Sequence, residues 1–216
     1  MSTPRAKKRP GPAGGVRDEN RRRRVETLLN AARTLFLRRG LEQVTIDDIT
    51  AAARMAKGGY YRYFDDKDAL VRTLFAPISA RIEAAFARCS ADLAVAPSLE
   101  AIAGGYLTLA SELAQLVLEQ PGEMQLYLQE CRGPATGPRR PVAKLSRRIT
   151  ELSLGVTQVA IDRGLMRPFS SEVITRAVIG AAETMIHAHL TGASAEPAPS
   201  VAPALIDLFL NGVARR

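Results

Sequence analysis

Apolar positions recur along this chain at helical spacing, and no strand-like alternation stands out. Val25, Leu28, Leu29, Ala32, Leu35 and Phe36 follow an i, i+3, i+4 rhythm that Gly40 ends, which predicts a first helix entered directly from Arg21 to Arg24. Leu41 and Val44 then join its core from the connecting loop. Thr45 reads as an N-cap, and Asp48 three residues later makes a variant of the capping box. Ile46, Ile49, Ala52 and Ala53 share one face of a short second helix. The pattern breaks at Arg54-Met55, and another short helix is predicted from about Ala56 to Tyr63. Asp65 and Asp68 repeat the cap signal for a longer helix from about Asp66, with Leu70 and Leu74 as its first large apolar anchors. Two helices this short bury little alone. Docked on the first helix, with the second member facing outward, they make a bihelical unit that fits a DNA major groove.

Downstream, Pro77 lacks an N–H and predicts a kink or break near Phe75-Ala76, on the path between the bihelical unit and the rest. The helix resumes with Ile78, Ile82, Ala85, Phe86 and Cys89 on one side and ends before Ala96-Pro97. Ser98 caps a long apolar helix with Ile102, Tyr106, Leu109, Leu113, Leu116 and Val117 in phase. Pro121 starts a shorter helix to about Cys131, and residues 132–141 form a Pro/Gly loop. Val142 to Arg163 is helical again, stopped by Gly164. Arg167-Pro168-Phe169 is a turn, with Ser170 or Ser171 capping the next helix. That helix, Glu172 to Leu190, is apolar on nearly every side and must be covered on both. Residues 191–200 are a Pro/Ala/Ser loop, and Val201 to Val213 is a last, broadly apolar helix. The fold class is all-α. The last two long helices carry more apolar surface than one copy needs, which predicts a homodimer through a four-helix bundle.

Composition sharpens the picture at one end. The chain has 216 residues, 46% hydrophobic and 24% charged, with a formal net charge of +8. Residues 1–24 hold nine Lys or Arg against two acidic residues, whereas residues 25–70 hold seven of each, so the excess is almost wholly an N-terminal arm. Residues 1–20, rich in Pro, Gly, Lys and Arg, read as a disordered basic arm suited to a polyanion. No apolar stretch follows the arm as a signal peptide would require, and no run of 18 apolar residues marks a membrane span; the expected location is cytoplasmic. Cys89 and Cys131 lack metal-type spacing and read as separate thiols in a reduced cytosol, a redox switch being the minority reading. His187 and His189, the only histidines, lie on different helix faces at i, i+2 and make no metal pair. There is no Gly-rich phosphate loop, no Gly-x-Ser-x-Gly elbow and no His-Glu-x-x-His, so neither an enzyme nor a cofactor is expected.

The run Ile49…Ala53…Lys57-Gly58…Tyr61…Tyr63-Phe64…Lys67…Leu70 resembles the signature of the TetR family of bacterial transcriptional regulators. With the upstream helix the resemblance covers roughly Arg22 to Leu74, about a quarter of the chain. It departs from the family where Arg54 replaces a turn Gly, Ala56 a capping Ser or Thr, Gly59 a Thr or Ser, and Tyr60 a Leu or Ile. The missing cap costs about 1 kcal/mol. The resemblance implies a three-helix helix-turn-helix DNA-binding domain at 21–67 and a helical ligand-binding and dimerisation domain at 68–216. It implies that Ala56, Lys57, Gly58, Gly59, Tyr60 and Tyr61 face double-stranded DNA. Lys57 and Gly58 sit at the outer end of the recognition helix, Tyr61 and Lys67 contact phosphate, and Thr45 adds a phosphate contact to its capping role. Tyr60 stacks on a sugar or touches a thymine methyl. Gly58 and Gly59 allow close backbone approach, or merely fray the helix. Arg54 reaches phosphate, or is a surface residue in a strained turn. Arg22, Arg23 and Arg24 extend the basic surface, while Tyr63 and Phe64 belong to the core.

The resemblance also implies a pocket for a small-molecule effector among residues 68–190. Phe86, Tyr106, Leu109, Leu113, Tyr127, Glu183 and His187 are its candidate lining. Glu183 is either its charged member or an exposed edge residue. The apolar walls suit an apolar or amphipathic ligand. The expected function is a homodimeric, ligand-responsive repressor of a pseudo-palindromic operator. The alternative is a non-specific or architectural nucleic-acid binder, which fits the basic tail but not the nearly neutral helical remainder.

Overall fold

The computed structural model describes residues 15–164, 170–194 and 198–213. Among these are nine α-helices and no strand: α1 (Val16–Gln43), α2 (Ile46–Ala52), α3 (Lys57–Tyr60), α4 (Lys67–Val95), α5 (Leu99–Glu119), α6 (Pro121–Glu130), α7 (Arg140–Asp162), α8 (Ser171–Leu190) and α9 (Ala198–Val213). The all-α reading stands. Most of the arm, and the turn expected at Arg167-Pro168-Phe169, lie outside the described residues. The part of the arm that is described is not irregular: α1 begins at Val16, with Asp18 and Glu19 in its first turn, where they complement the helix dipole.

α1 runs to Gln43 but is broken at Gly40, where its end was expected. Gly40 takes φ 77°, a left-handed conformation that turns the chain out of the helix and seats Leu41 and Val44 in the core, both fully buried. α2 packs on α1 through Ile49 and Ala53, but Ala52 is exposed and Thr50 is buried in its place. α3 is a single turn, shorter than the predicted Ala56–Tyr63 stretch. Its N-cap Ala56 makes no side-chain cap bond, and two of its four residues are glycines, so little local preference extends it.

Of the kink or break expected near Phe75-Ala76, α4 shows no break. It runs unbroken from Lys67 to Val95 with Pro77 inside. Pro77 lies on the exposed side, as does Thr73, whose carbonyl is the one deprived of an N–H partner, so water can serve it. The inward face, Leu70, Leu74, Ile78, Ile82, Phe86 and Cys89, is buried throughout. α4 packs against α5 and α7, α7 against α8, α5 against α9, and α6 against α1. One apolar cluster therefore runs from Leu28 and Phe36 through Tyr60 and Leu70 to Phe86, Leu109 and Tyr127. α7 starts at Arg140 and α9 at Ala198, each a little before its expected start. α5, at 21 residues, is long and apolar enough to cross a membrane, but it packs against α4, α6 and α9. Glu112 and Glu119 on α5 pair with Arg88 and Arg81 on α4.

Candidate functional site

The bihelical unit is held by two end motifs. At the start of α2 the Thr45 N–H donates to Asp48 Oδ2 at 2.8 Å, and the Asp48 N–H donates to Thr45 Oγ1 at 3.1 Å, a complete capping box. The Thr45 backbone N–H, then its hydroxyl, then Arg39 hold the Asp48 carboxyl down at about 2. At the end of α2 the Arg54 N–H donates to Ala51 O at 3.1 Å and the Met55 N–H to Thr50 O at 2.9 Å. That pair of bonds is a Schellman motif, whose penultimate residue must be left-handed. Arg54 accordingly has φ 52°, the only positive φ of a non-glycine among the described residues. The turn's demand on the backbone explains why glycine is usual at this position and why Arg54 is strained there.

This frame presents Arg54, Ala56, Lys57 and Gly58 to solvent. A Cβ on Gly58 would meet nothing within 4 Å, whereas Gly59 is half-buried against Met55 Cε, 3.3 Å from where a Cβ would be. Lys57 Nζ lies 2.8 Å from Asp47 Oδ1, which holds the ammonium above its usual range and bridges α2 to α3. Tyr61 is 50% exposed and Thr45 is also exposed. Arg22 and Arg23 are exposed on α1, within 3.8 and 2.6 Å of Asp18 and Glu19, and Arg24 is exposed beside them.

Two residues expected at the DNA face are turned inward. Tyr60 is fully buried; its hydroxyl donates to Asp66 O at 2.9 Å and its ring packs on Phe64 at 5.6 Å. Tyr60 is a core residue, with no exposed surface to offer a duplex. The signal was its i, i+4 spacing to Phe64 and its place at a position usually apolar. Lys67 also folds back. Its ammonium donates to Leu41 O and Val44 O, both at 2.7 Å, and so serves carbonyls around the end of α1; burial pulls its pKa down. Tyr63 is half-buried, with the Arg21 guanidinium 5.9 Å from its ring centroid, and Phe64 is core, as expected.

A cavity of about 220 Å³ lies among α4 to α9. Phe86, Tyr106, Leu109, Leu113, Tyr127 and Glu183 all line it. His187 does not; it is exposed in the last turn of α8. Glu183 is not a free edge residue: its side chain is 15% exposed and accepts from the Tyr127 hydroxyl at 3.0 Å and from Arg132 at 3.3 Å. Burial, then the Glu183 carboxylate, pushes the Tyr127 phenol up. A hydroxyl pair, Thr175 donating to Thr157 at 3.2 Å, was not singled out from the sequence, where both residues sit unmarked within apolar stripes.

The helix that carries Tyr127 also grips α1. Met124, Tyr127 and Leu128 of α6 line the cavity. From the same helix Glu123 pairs with Arg33 at 2.6 Å, and buried Glu130 accepts the Leu41 N–H at 2.9 Å and Arg139 Nε at 2.5 Å. Burial raises the thiols of Cys89 and Cys131 to about 12 and about 11, which keeps both protonated at neutral pH and favours the reading of two separate, unreactive thiols. Among the described residues no cluster of His, Cys, Asp and Glu has the make-up of a metal site.

A family model described as bacterial regulatory proteins, tetR family, matches residues 28–74, the end of α1 through the first turns of α4. The transposon Tn10 TetC protein of Escherichia coli is 35% identical over 57 residues, 26% of this chain and 29% of that protein. The HTH-type transcriptional repressor KstR2 of Rhodococcus jostii (strain RHA1) is 47% identical over 49 residues, 23% of this chain and 24% of that protein. These matches span only about a quarter of the curated relatives. Over nearly the whole chain the fold is similar to NalD, the secondary repressor of the MexAB-OprM multidrug efflux pump in Pseudomonas aeruginosa: TM-score 0.71, 19% identity, 91% of this chain and 98% of that one. It is also similar to FadR of Bacillus subtilis, solved with stearoyl-CoA: TM-score 0.66, 14% identity, 87% of this chain and 98% of that one.

Proposed function

We propose, from the match of residues 28–74 to the tetR-family model, that this chain is a TetR-family, ligand-responsive transcriptional repressor. The observation that carries the reading is the doubly capped α2–turn–α3 unit, which holds Lys57, Gly58 and Tyr61 out in solvent while a separate cavity lies among the later helices. In this reading α3 enters the major groove, and Lys57 exchanges Asp47 for a phosphate or a base edge. Two copies pair through α8 and α9, where Val173 and Leu208 are 66% and 65% exposed in the single chain. Pairing sets two α3 helices against the half-sites of a pseudo-palindromic operator. The N-terminal arm adds sequence-independent affinity. A small apolar or amphipathic effector in the cavity shifts the population away from the DNA-binding arrangement. NalD and FadR, described as a pump repressor and as a regulator bound to stearoyl-CoA, make such an effector reasonable here.

The test is protection of genomic fragments followed by titration at several salt concentrations. The expected footprint is palindromic. Removing residues 1–14, which precede α1, should shrink the log–log salt slope by about 0.9 for each phosphate that the arm neutralises. An unchanged slope takes the arm out of the account, and a protein that stays single at high concentration removes the paired half-sites. The excess of positive charge at the N-terminus favours one second reading, a non-specific binder; bulk DNA that competes as well as the operator would establish it.

A further inference from the structure

The polar chemistry of the cavity is one-sided. Five hydroxyl side chains line it, and four already donate within the protein. Tyr106 donates to Val156 O at 3.3 Å, Tyr127 to Glu183 Oε1 at 3.0 Å, Thr157 to Ser153 O at 2.9 Å and Thr175 to Thr157 at 3.2 Å. Ser153 is the fifth. The charged member of the wall is Glu183. A carboxylate offers about four lone-pair sites, and here one oxygen accepts from Tyr127 and the other from Arg132. Acceptor capacity is therefore left over on the cavity's charged group, while donors are nearly used up.

Arg132 does not line the cavity. Its side chain is 73% exposed and reaches Glu183 through a single contact of 3.3 Å. With its guanidinium largely in solvent, that contact is screened and contributes modestly. A carboxylate only 15% exposed, in a wall with no other charged side chain, gains most from a cation that brings its own N–H donors. A carboxylate ligand seated there would instead meet like charge. The volume, about 220 Å³, is below the roughly 300–1,000 Å³ of drug-sized sites, so the apolar body is small.

We infer that the effector is a compact apolar cation, an alkyl- or arylammonium, with its nitrogen on Glu183 and its hydrocarbon against Phe86, Leu109, Leu113 and Ile149. This rests on the reading of the cavity as the effector site and specifies its chemistry.

The full-length protein is titrated calorimetrically with octylammonium, octan-1-ol and octanoate at neutral pH, below their aggregation limits. Octylammonium should bind about tenfold more tightly than octanoate, the difference one charge-assisted hydrogen bond makes. Glu183→Gln, close to isosteric, should abolish that preference. Arg132→Ala, at an exposed position, should tighten octylammonium severalfold by removing its competitor. Octanoate binding as well as octylammonium, or a preference that survives Glu183→Gln, overturns the head-group assignment while leaving the cavity reading intact. Failure of all three, octan-1-ol included, overturns the cavity reading and the assignment with it.

Discussion

Glu130 joins the two halves of the chain, and its removal has a calculable cost. Its side chain is 3% exposed; Oε1 accepts the Leu41 N–H at 2.9 Å and Oε2 accepts from Arg139 at 2.5 Å. Leu41 follows Gly40, whose left-handed turn takes that N–H out of the helical ladder, so the carboxylate is its partner. In Glu130→Ala the fully buried Leu41 N–H is orphaned, at about 1–3 kcal/mol. Arg139 also loses its buried partner. Breaking such a pair outright costs about 3–5 kcal/mol. Arg139 is 23% exposed and keeps Glu42 at 3.4 Å, so only a fraction of that applies. The two parts overlap, and the expected loss is about 3 kcal/mol. Glu130→Gln keeps an acceptor for Leu41 but sets its amide N–H2 against Arg139 Nε–H, so that hydrogen bond goes with the charge; with Arg139 part-exposed and still paired to Glu42, the cost is about 1–2 kcal/mol. Urea unfolding of both variants and the parent, followed by far-ultraviolet circular dichroism with a check that the slope is unchanged, measures the difference. A loss under about 0.5 kcal/mol for Glu130→Ala, or equal losses for the two variants, would refute the argument.

Two further outcomes are expected. Arg54→Gly should stabilise the protein by roughly 0.5–1 kcal/mol, because it relieves the left-handed strain at φ 52° and gives back part of the gain as unfolded-state entropy; a lowered melting temperature would contradict the turn geometry. Asp48, with its folded pKa depressed from 3.8 to about 2, contributes stability that is present above 3.8 and lost as pH falls from there towards 2. Asp48→Asn should therefore flatten the acid limb of the stability profile between those values; a limb as steep as the parent's would remove the capping box from the acid response.

What the sequence by itself determined is whatever depends on a residue and its neighbours within a turn or two. The Thr45–Asp48 box, the stops at Gly40 and Gly164, the Ser98 cap and the Pro121 start were legible, because caps and breakers act over three or four residues. The inward stripes were legible for the same reason, but that Phe86, Tyr106, Leu109 and Leu113 face a cavity was implied by the family resemblance and not by the stripes. Only the tertiary structure decided which way the amphipathic side chains turned. Tyr60 and Lys67 carry polar tips on apolar bodies and suit either face; the pocket over Phe64 took one, and the carbonyls around the end of α1 took the other. Glu130 and Glu183 found their partners 89 and 56 positions away, on other helices. A carboxylate's burial depends on which donors the packed helices bring to it, and helical periodicity carries no record of that distance.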